Sequence, residues 1–203
     1  VENTTKALKA AGLEGGVHCR GKRREDGRQG YVRLKLPAGL WRLVELERAG
    51  VGWAKEALDR LKEIARERDL SDLLEKHLKP AMEAETLDPK KVAVEDPERG
   101  IKIAIRDLRR EWEEGRPRIV VEYEVNGSVE TFSFTWRIAT GGRIQASVRL
   151  NDERALVLAA LTGDESLRDR KQVVLTTKHL LALARYKGVG WDLLWWYAKA
   201  MRE

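Results

Sequence analysis

Apolar positions recur at helical spacing in the first part of the chain, at a spacing of two in the middle, and at helical spacing again near the end. Leu40, Leu43 and Val44 mark one helix, and Trp53, Ala57, Leu58, Leu61 and Ile64 lie on one stripe of the next. Ser71 is placed to cap a third helix over Asp72 to Glu85, and Thr4 to Leu13 reads as a short helix at the start. Val17 to Arg23 and Tyr31 to Leu36 read as two strands, with Arg24 to Gly30 as the turn between them.

Asp88-Pro89 and Asp96-Pro97-Glu98-Arg99-Gly100 are turns that announce a change of period. Beyond them Ile101, Ile103 and Ile105 alternate with polar residues, as do Ile119, Val121 and Tyr123. Asn126-Gly127 is the signal of a two-residue type I′ hairpin. Such a loop pairs Val125 with Ser128, Phe132 with Val121 and Phe134 with Ile119, which puts the apolar sets on one face. Ile144, Ala146, Val148 and Leu150 continue the alternation after Gly141-Gly142. The expectation is a four-stranded antiparallel meander with one face under helices. Asn151 should cap a helix running to about Gly163, with Asp152 and Glu153 in its first turn where the helix dipole favours acids. A short strand over Val173 to Leu175 and helices over His179 to Tyr186 and Trp191 to Arg202 complete the reading.

The fold class expected is therefore α+β, an antiparallel sheet with one face covered by helices. Gly-Val-Gly-Trp occurs twice, at Gly50 to Trp53 and at Gly188 to Trp191, each time after a strand and a helix. In each copy the first glycine would stop a helix by taking a left-handed conformation, and the tryptophan would anchor the next. The chain is expected as one compact domain of residues 1–203, with two pseudo-equivalent halves of about 1–95 and 96–203 as an option.

Composition narrows the chemistry. With 203 residues, 42% of them hydrophobic, the chain is long enough for a real core. No apolar run approaches the roughly 20 residues of a membrane span, so no membrane partner is expected. Cys19 is the single cysteine, which points to a reducing, cytoplasmic setting and excludes a multi-cysteine zinc site. His18 and Cys19 are adjacent on a strand and so belong to opposite faces, which argues against a nucleophile pair. Charged residues reach 35% while Asn and Gln together number six, a thermophile's balance.

The formal charge is +6 and it is concentrated. Between Val17 and Pro37 stand Arg20, Lys22, Arg23, Arg24, Arg28, Arg33 and Lys35 against Glu25 and Asp26, a net +5 in one short segment. A local field of this kind attracts a polyanion, and a basic ribbon suits the major groove of a duplex. These seven are the candidate nucleic-acid-binding residues, with DNA favoured over RNA. Trp191, Trp195 and Trp196 share a helix that is apolar over most of its circumference, and so should be buried or at an interface. An interface there would suit a structural or assembly protein, RNA- or ribosome-associated.

The chain resembles the archaeal PaRep family, type two-b, in Pro37 to Leu43, Leu78 to Ala81, Tyr123 to Gly127, Ala160 to Asp164 and Lys187 to Leu194. That is a multi-copy crenarchaeal family, and the resemblance supplies no mechanism. Multi-copy families of this kind are often mobile-element products, which favours DNA partners by association. A second likeness is to LAGLIDADG homing endonucleases, in Ala10 to Gly16 ahead of the basic ribbon and in Leu158 to Ser166. That likeness implies two packed small-residue helices whose terminal acids, here Glu14 and Glu165, hold Mg²⁺ for DNA cleavage. The sequence departs from it where an acid should follow two residues after Glu14 and a glycine should follow Glu165. Apart from Mg²⁺ on that reading, no cofactor is expected.

Overall fold

The computed structural model describes the backbone of residues 17–24, 27–34 and 37–201, with side chains from residue 37 onward. The chain forms two compact units, Val1–Met82 and Glu83–Glu203. It is α+β with antiparallel sheets, as the pattern predicts. The expected helix over Thr4 to Leu13 lies outside the described residues. Among those residues, no helix is long and apolar enough to cross a membrane.

In the first unit, β1 (Val17–Arg24) and β2 (Gly27–Leu34) form a two-stranded ribbon. Helices α1 (Ala38–Arg48), α2 (Gly52–Glu67) and α3 (Ser71–Glu83) follow. Leu40, Trp41, Leu43 and Val44 of α1 are buried. In α2 the buried residues are Ala54, Leu58 and Ala65; of the expected stripe only Leu58 is fully buried, Ala57, Leu61 and Ile64 are half-buried and Trp53 is exposed. Pro80 stands inside α3 and has no N–H to give the helical ladder. The Trp41 indole of α1 ties to α3 close by: its Nε1–H gives a 2.8 Å hydrogen bond to the His77 carbonyl.

The second unit holds two sheets. β3 (Ala93–Asp96), β4 (Ile101–Glu113), β5 (Arg116–Val125) and β6 (Ser128–Thr135) lie in that order. The Asn126-Gly127 turn sets the predicted register: Val125 faces Ser128, Val121 faces Phe132 and Ile119 faces Phe134. Both turn residues have positive φ, 48° and 89°, as a type I′ loop requires. Ile103, Ile105, Leu108, Ile119, Val121, Tyr123, Phe132 and Phe134 are buried on the inner face. Helices α4 (Asp152–Thr162) and α6 (Gly190–Ala200) pack on this sheet. The Asn151 side chain caps α4 by accepting from Arg154 N–H at 2.9 Å, and Gly163 ends it at φ 70°. Leu193, Leu194 and Trp196 of α6 are buried, while Trp191 and Trp195 are half-buried and stacked at 6.3 Å.

The four-stranded meander is corrected in its membership. The strand at Ile144 to Leu150 does not join the other three. It is β8 (Arg143–Arg149), the centre of a second sheet between β7 (Arg137–Ala139) and β9 (Gln172–Thr176). The fourth place in the first sheet goes to β3. The chain leaves the first sheet at Trp136, which is fully buried and donates its N–H to the Pro117 carbonyl at 2.9 Å. Alternation continues through that corner, so periodicity alone does not reveal it. Helix α5 (Thr177–Leu183) follows β9 directly.

The two Gly-Val-Gly-Trp corners share one feature and differ in another. Gly50 and Gly188 both take left-handed backbone, at φ 81° and 86°. Trp53, however, is 41% exposed and does not anchor its helix as expected. Beyond this corner, the described parts of the two units are built differently, one on a ribbon and three helices, the other on two sheets.

Candidate functional site

The basic ribbon differs from its sequence expectation in one respect. The strands extend to Arg24 and from Gly27, so positions 25 and 26 alone separate them, where a seven-residue turn was expected. Backbone pairing overrides the turn-like composition, and Arg24 and Arg28 become strand residues. Cross-strand partners share a face, so the register groups Arg20 with Tyr31, Lys22 with Gln29, and His18 with Arg33. Arg24 belongs to the same face by alternation. Arg23 stands directly opposite Arg28 on the other face. Lys35 lies outside the described residues.

The second unit carries a basic surface that the sequence reading missed. On β8, Ile144, Ala146 and Val148 are buried, and Arg143, Ser147 and Arg149 between them are exposed. Their neighbours on this outer face follow from the register: Arg137 opposite Gln145, Val174 opposite Ser147, Gln172 opposite Arg149, and Thr176 opposite Gln145 on the other side. No acid belongs to this face. Arg137, Arg143 and Arg149 are exposed, and none makes an ion pair with any described residue.

The four-stranded sheet's outer face is the opposite case. Arg106 pairs with Glu124, Arg109 lies 2.9 Å from Asp107 and 3.5 Å from Glu111, and Arg118 lies 3.9 Å from Glu113. Lys102 pairs with Glu95 at 2.8 Å, and hydrogen bonding to that ammonium holds the Glu95 carboxyl below its usual range. That face neutralises itself. The same residue types thus form one closed and one open electrostatic surface in a single unit.

A concavity of about 350 Å³ adjoins the open face at Arg137. Arg116, Ile138, Trp196 and Lys199 also line it, and its lining contains no acid. A second hollow near Arg149, about 500 Å³, is mixed in sign: Asp152, Glu153 and Asp169 stand there with Arg99, Arg170 and Lys171.

Asp164 is the centre of the most connected polar cluster. Its Oδ1 accepts from Ser166 Oγ at 2.7 Å and Ser166 N–H at 3.2 Å. Its Oδ2 accepts from Lys178 Nζ at 2.6 Å and His179 Nε2 at 2.9 Å. The Lys178 hydrogen bond above all, then those of Ser166 and His179, holds its carboxyl well below the usual carboxylate range. His179 is buried, and its Nδ1 accepts the Thr176 N–H at 2.9 Å, which leaves the proton on Nε2 facing Asp164. Both ring nitrogens are therefore occupied, and no lone pair is left for general-base work. The cluster is a lock between the end of α4 and the start of α5. His179 had no motif signal, because its partner lies fifteen positions away across a strand.

Glu165 opens a short 3-10 turn after Gly163 and pairs with Arg168. Glu14 lies outside the described residues. Among the described residues, no group of three or more His, Cys, Asp or Glu is arranged to hold a metal ion.

These features define an α+β protein whose second unit sets an arginine face without an ion-pair partner among the described residues beside a self-neutralised one. The family model described as PaRep2b protein matches residues 2–201, and the chain belongs to that family. No curated protein and no solved structure matches it.

Proposed function

We propose that this chain is a nucleic-acid-binding protein, with double-stranded DNA favoured over RNA, that engages phosphate through the β1–β2 ribbon. The observation that carries this reading is the ribbon's register. It gathers Arg20, Lys22, Arg24 and Arg33 on one face, and neither strand contains an acid. Like charges directly across a strand pair disfavour the pair. A ribbon with Arg23 opposite Arg28 is relieved of that repulsion when a polyanion supplies the counter-charge. A two-stranded ribbon also fits the roughly 12 Å width of the major groove, where arginine reads phosphate or guanine edges.

Glutamine at Arg20, Lys22, Arg23 and Arg24 together tests this. Affinity for a DNA duplex should fall at least tenfold near 100 mM salt, because each lost phosphate contact removes about 0.9 from the slope of log affinity against log salt. Unchanged affinity and slope would end the proposal. The same titration against duplex RNA decides the preference between the two acids.

A further inference from the structure

We infer that the outer face of the β7–β8–β9 sheet is a second phosphodiester-binding surface, separate from the ribbon. The inference takes its ligand class from the reading above but stands on different residues. Three arginines, Arg137, Arg143 and Arg149, are exposed on one sheet face without an ion-pair partner among the described residues. In a unit that pairs Arg106, Arg109, Arg110, Arg116 and Arg118 with acids, this is a local departure. Asp164, near the end of β9, does not supply the missing charge, since Lys178 and His179 already occupy it.

The face has the make-up and dimensions of a backbone reader. Between the arginines stand Gln145, Ser147, Gln172 and Thr176, uncharged donors suited to phosphate and sugar oxygens. Arg143 and Arg149 are six residues apart on one strand, about 20 Å at strand spacing. That equals the rise of about six base pairs at 3.4 Å each. Arg137 carries the surface into the acid-free concavity lined by Arg116 and Lys199, with Trp196 and Ile138 as apolar walls. A phosphate entering there meets Arg137 and Lys199, with Arg116, already paired with Glu114, at the rim.

The test uses the full chain and a dye-labelled 20-base-pair DNA duplex, with anisotropy titrations at several salt concentrations. Four proteins are compared: wild type, R137Q/R143Q/R149Q, the ribbon variant of the preceding section, and R106Q/R109Q/R118Q. The last makes the same change in net charge on the self-neutralised face. The expected result is a drop in salt slope of about 2 to 3 for the first triple, about 0.9 per arginine, and little change for the second. Equal slopes for wild type and the first triple would overturn the inference, and so would equal losses from both triples. Loss in the first triple with none in the ribbon variant would sustain this surface and sink the ribbon. The reverse pattern would sink this surface and leave the ribbon standing. A wild-type chain that binds no duplex overturns both. Melting temperatures guard the comparison, and if the triple melts early, Arg143→Gln and Arg149→Gln singly carry the same test.

Discussion

Asp164 shows how much one side chain can hold together. Four hydrogen bonds converge on its two oxygens, from Ser166, Lys178 and His179. Asp164→Ala would leave the Nε2–H of buried His179 without an acceptor, at a cost of about 2 kcal/mol. The linkage has a definite sign. The folded carboxyl is held below its unfolded value of about 3.9, so its contribution is complete above that pH and is lost as pH falls toward the folded value. The gap in melting temperature between wild type and Asp164→Asn should be steady from pH 7 to 5 and should narrow below about pH 4. A gap independent of pH would show that the charge contributes nothing. None of this is visible in the sequence, where Asp164 lies just past a helix expected to run to about Gly163 and His179 is only the first residue of another expected helix. The bonds join residues across β9, and only the folded chain brings them together. The unpaired arginines of β7 and β8 escaped for a related reason. The alternation of Arg143, Ser147 and Arg149 with apolar residues can be read directly, but that no acid among the described residues comes to meet them depends on which strands lie alongside.

At the scale of elements, what could be read was what local rules determine. Asn126-Gly127 fixed every pair of β5 with β6, because a two-residue loop leaves no freedom of register. Asn151 and Gly163 bounded α4 by capping chemistry. What could not be read was partner choice. β8 keeps the phase of the β6 alternation across β7 and the Gly141-Gly142 turn, and its assignment to another sheet rests on pairing with β9, more than twenty residues later. The two Gly-Val-Gly-Trp corners make the same point about packing. Gly188 and Gly50 do the same conformational work, but the glycines two places on do not. A Cβ on Gly52 would meet nothing within 4 Å. On Gly190 it would press on the Ala184 carbonyl and come within 2.5 Å of Glu85 Cγ and 3.0 Å of Glu85 N. The Glu85 N–H to Ala184 carbonyl bond, 3.1 Å, is one of three that stitch residues 85–87 to 184–187. Gly190→Ala should therefore cost about 3 kcal/mol in urea unfolding. Gly52→Ala should be neutral or slightly stabilising, since alanine is the better helix former. Equal effects at the two sites would mean that residues 85–87 yield readily and that the contact is soft.

For the whole molecule, the division after Met82 has a consequence that can be measured. Unit two carries its own core, in which Ile103, Ile105, Val121, Phe132 and Phe134 of the sheet and Leu156, Leu158 and Leu193 of the helices are all buried. Its first residues are already held, since Leu87 N–H donates to the Arg185 carbonyl and the Leu87 carbonyl accepts from Lys187 N–H, each at 2.9 Å. A domain of roughly 120 residues buries enough surface to fold alone. Residues 83–203 expressed by themselves should therefore melt in one cooperative step, with an enthalpy of about 80 kcal/mol near 60 °C. A broad, non-cooperative transition would show that this core depends on the first 82 residues. Should the fragment fold, it carries the arginine face of β8 and lacks the ribbon entirely. Any salt-dependent duplex binding it retains would then belong to that face, and Arg143→Gln in the fragment should weaken it.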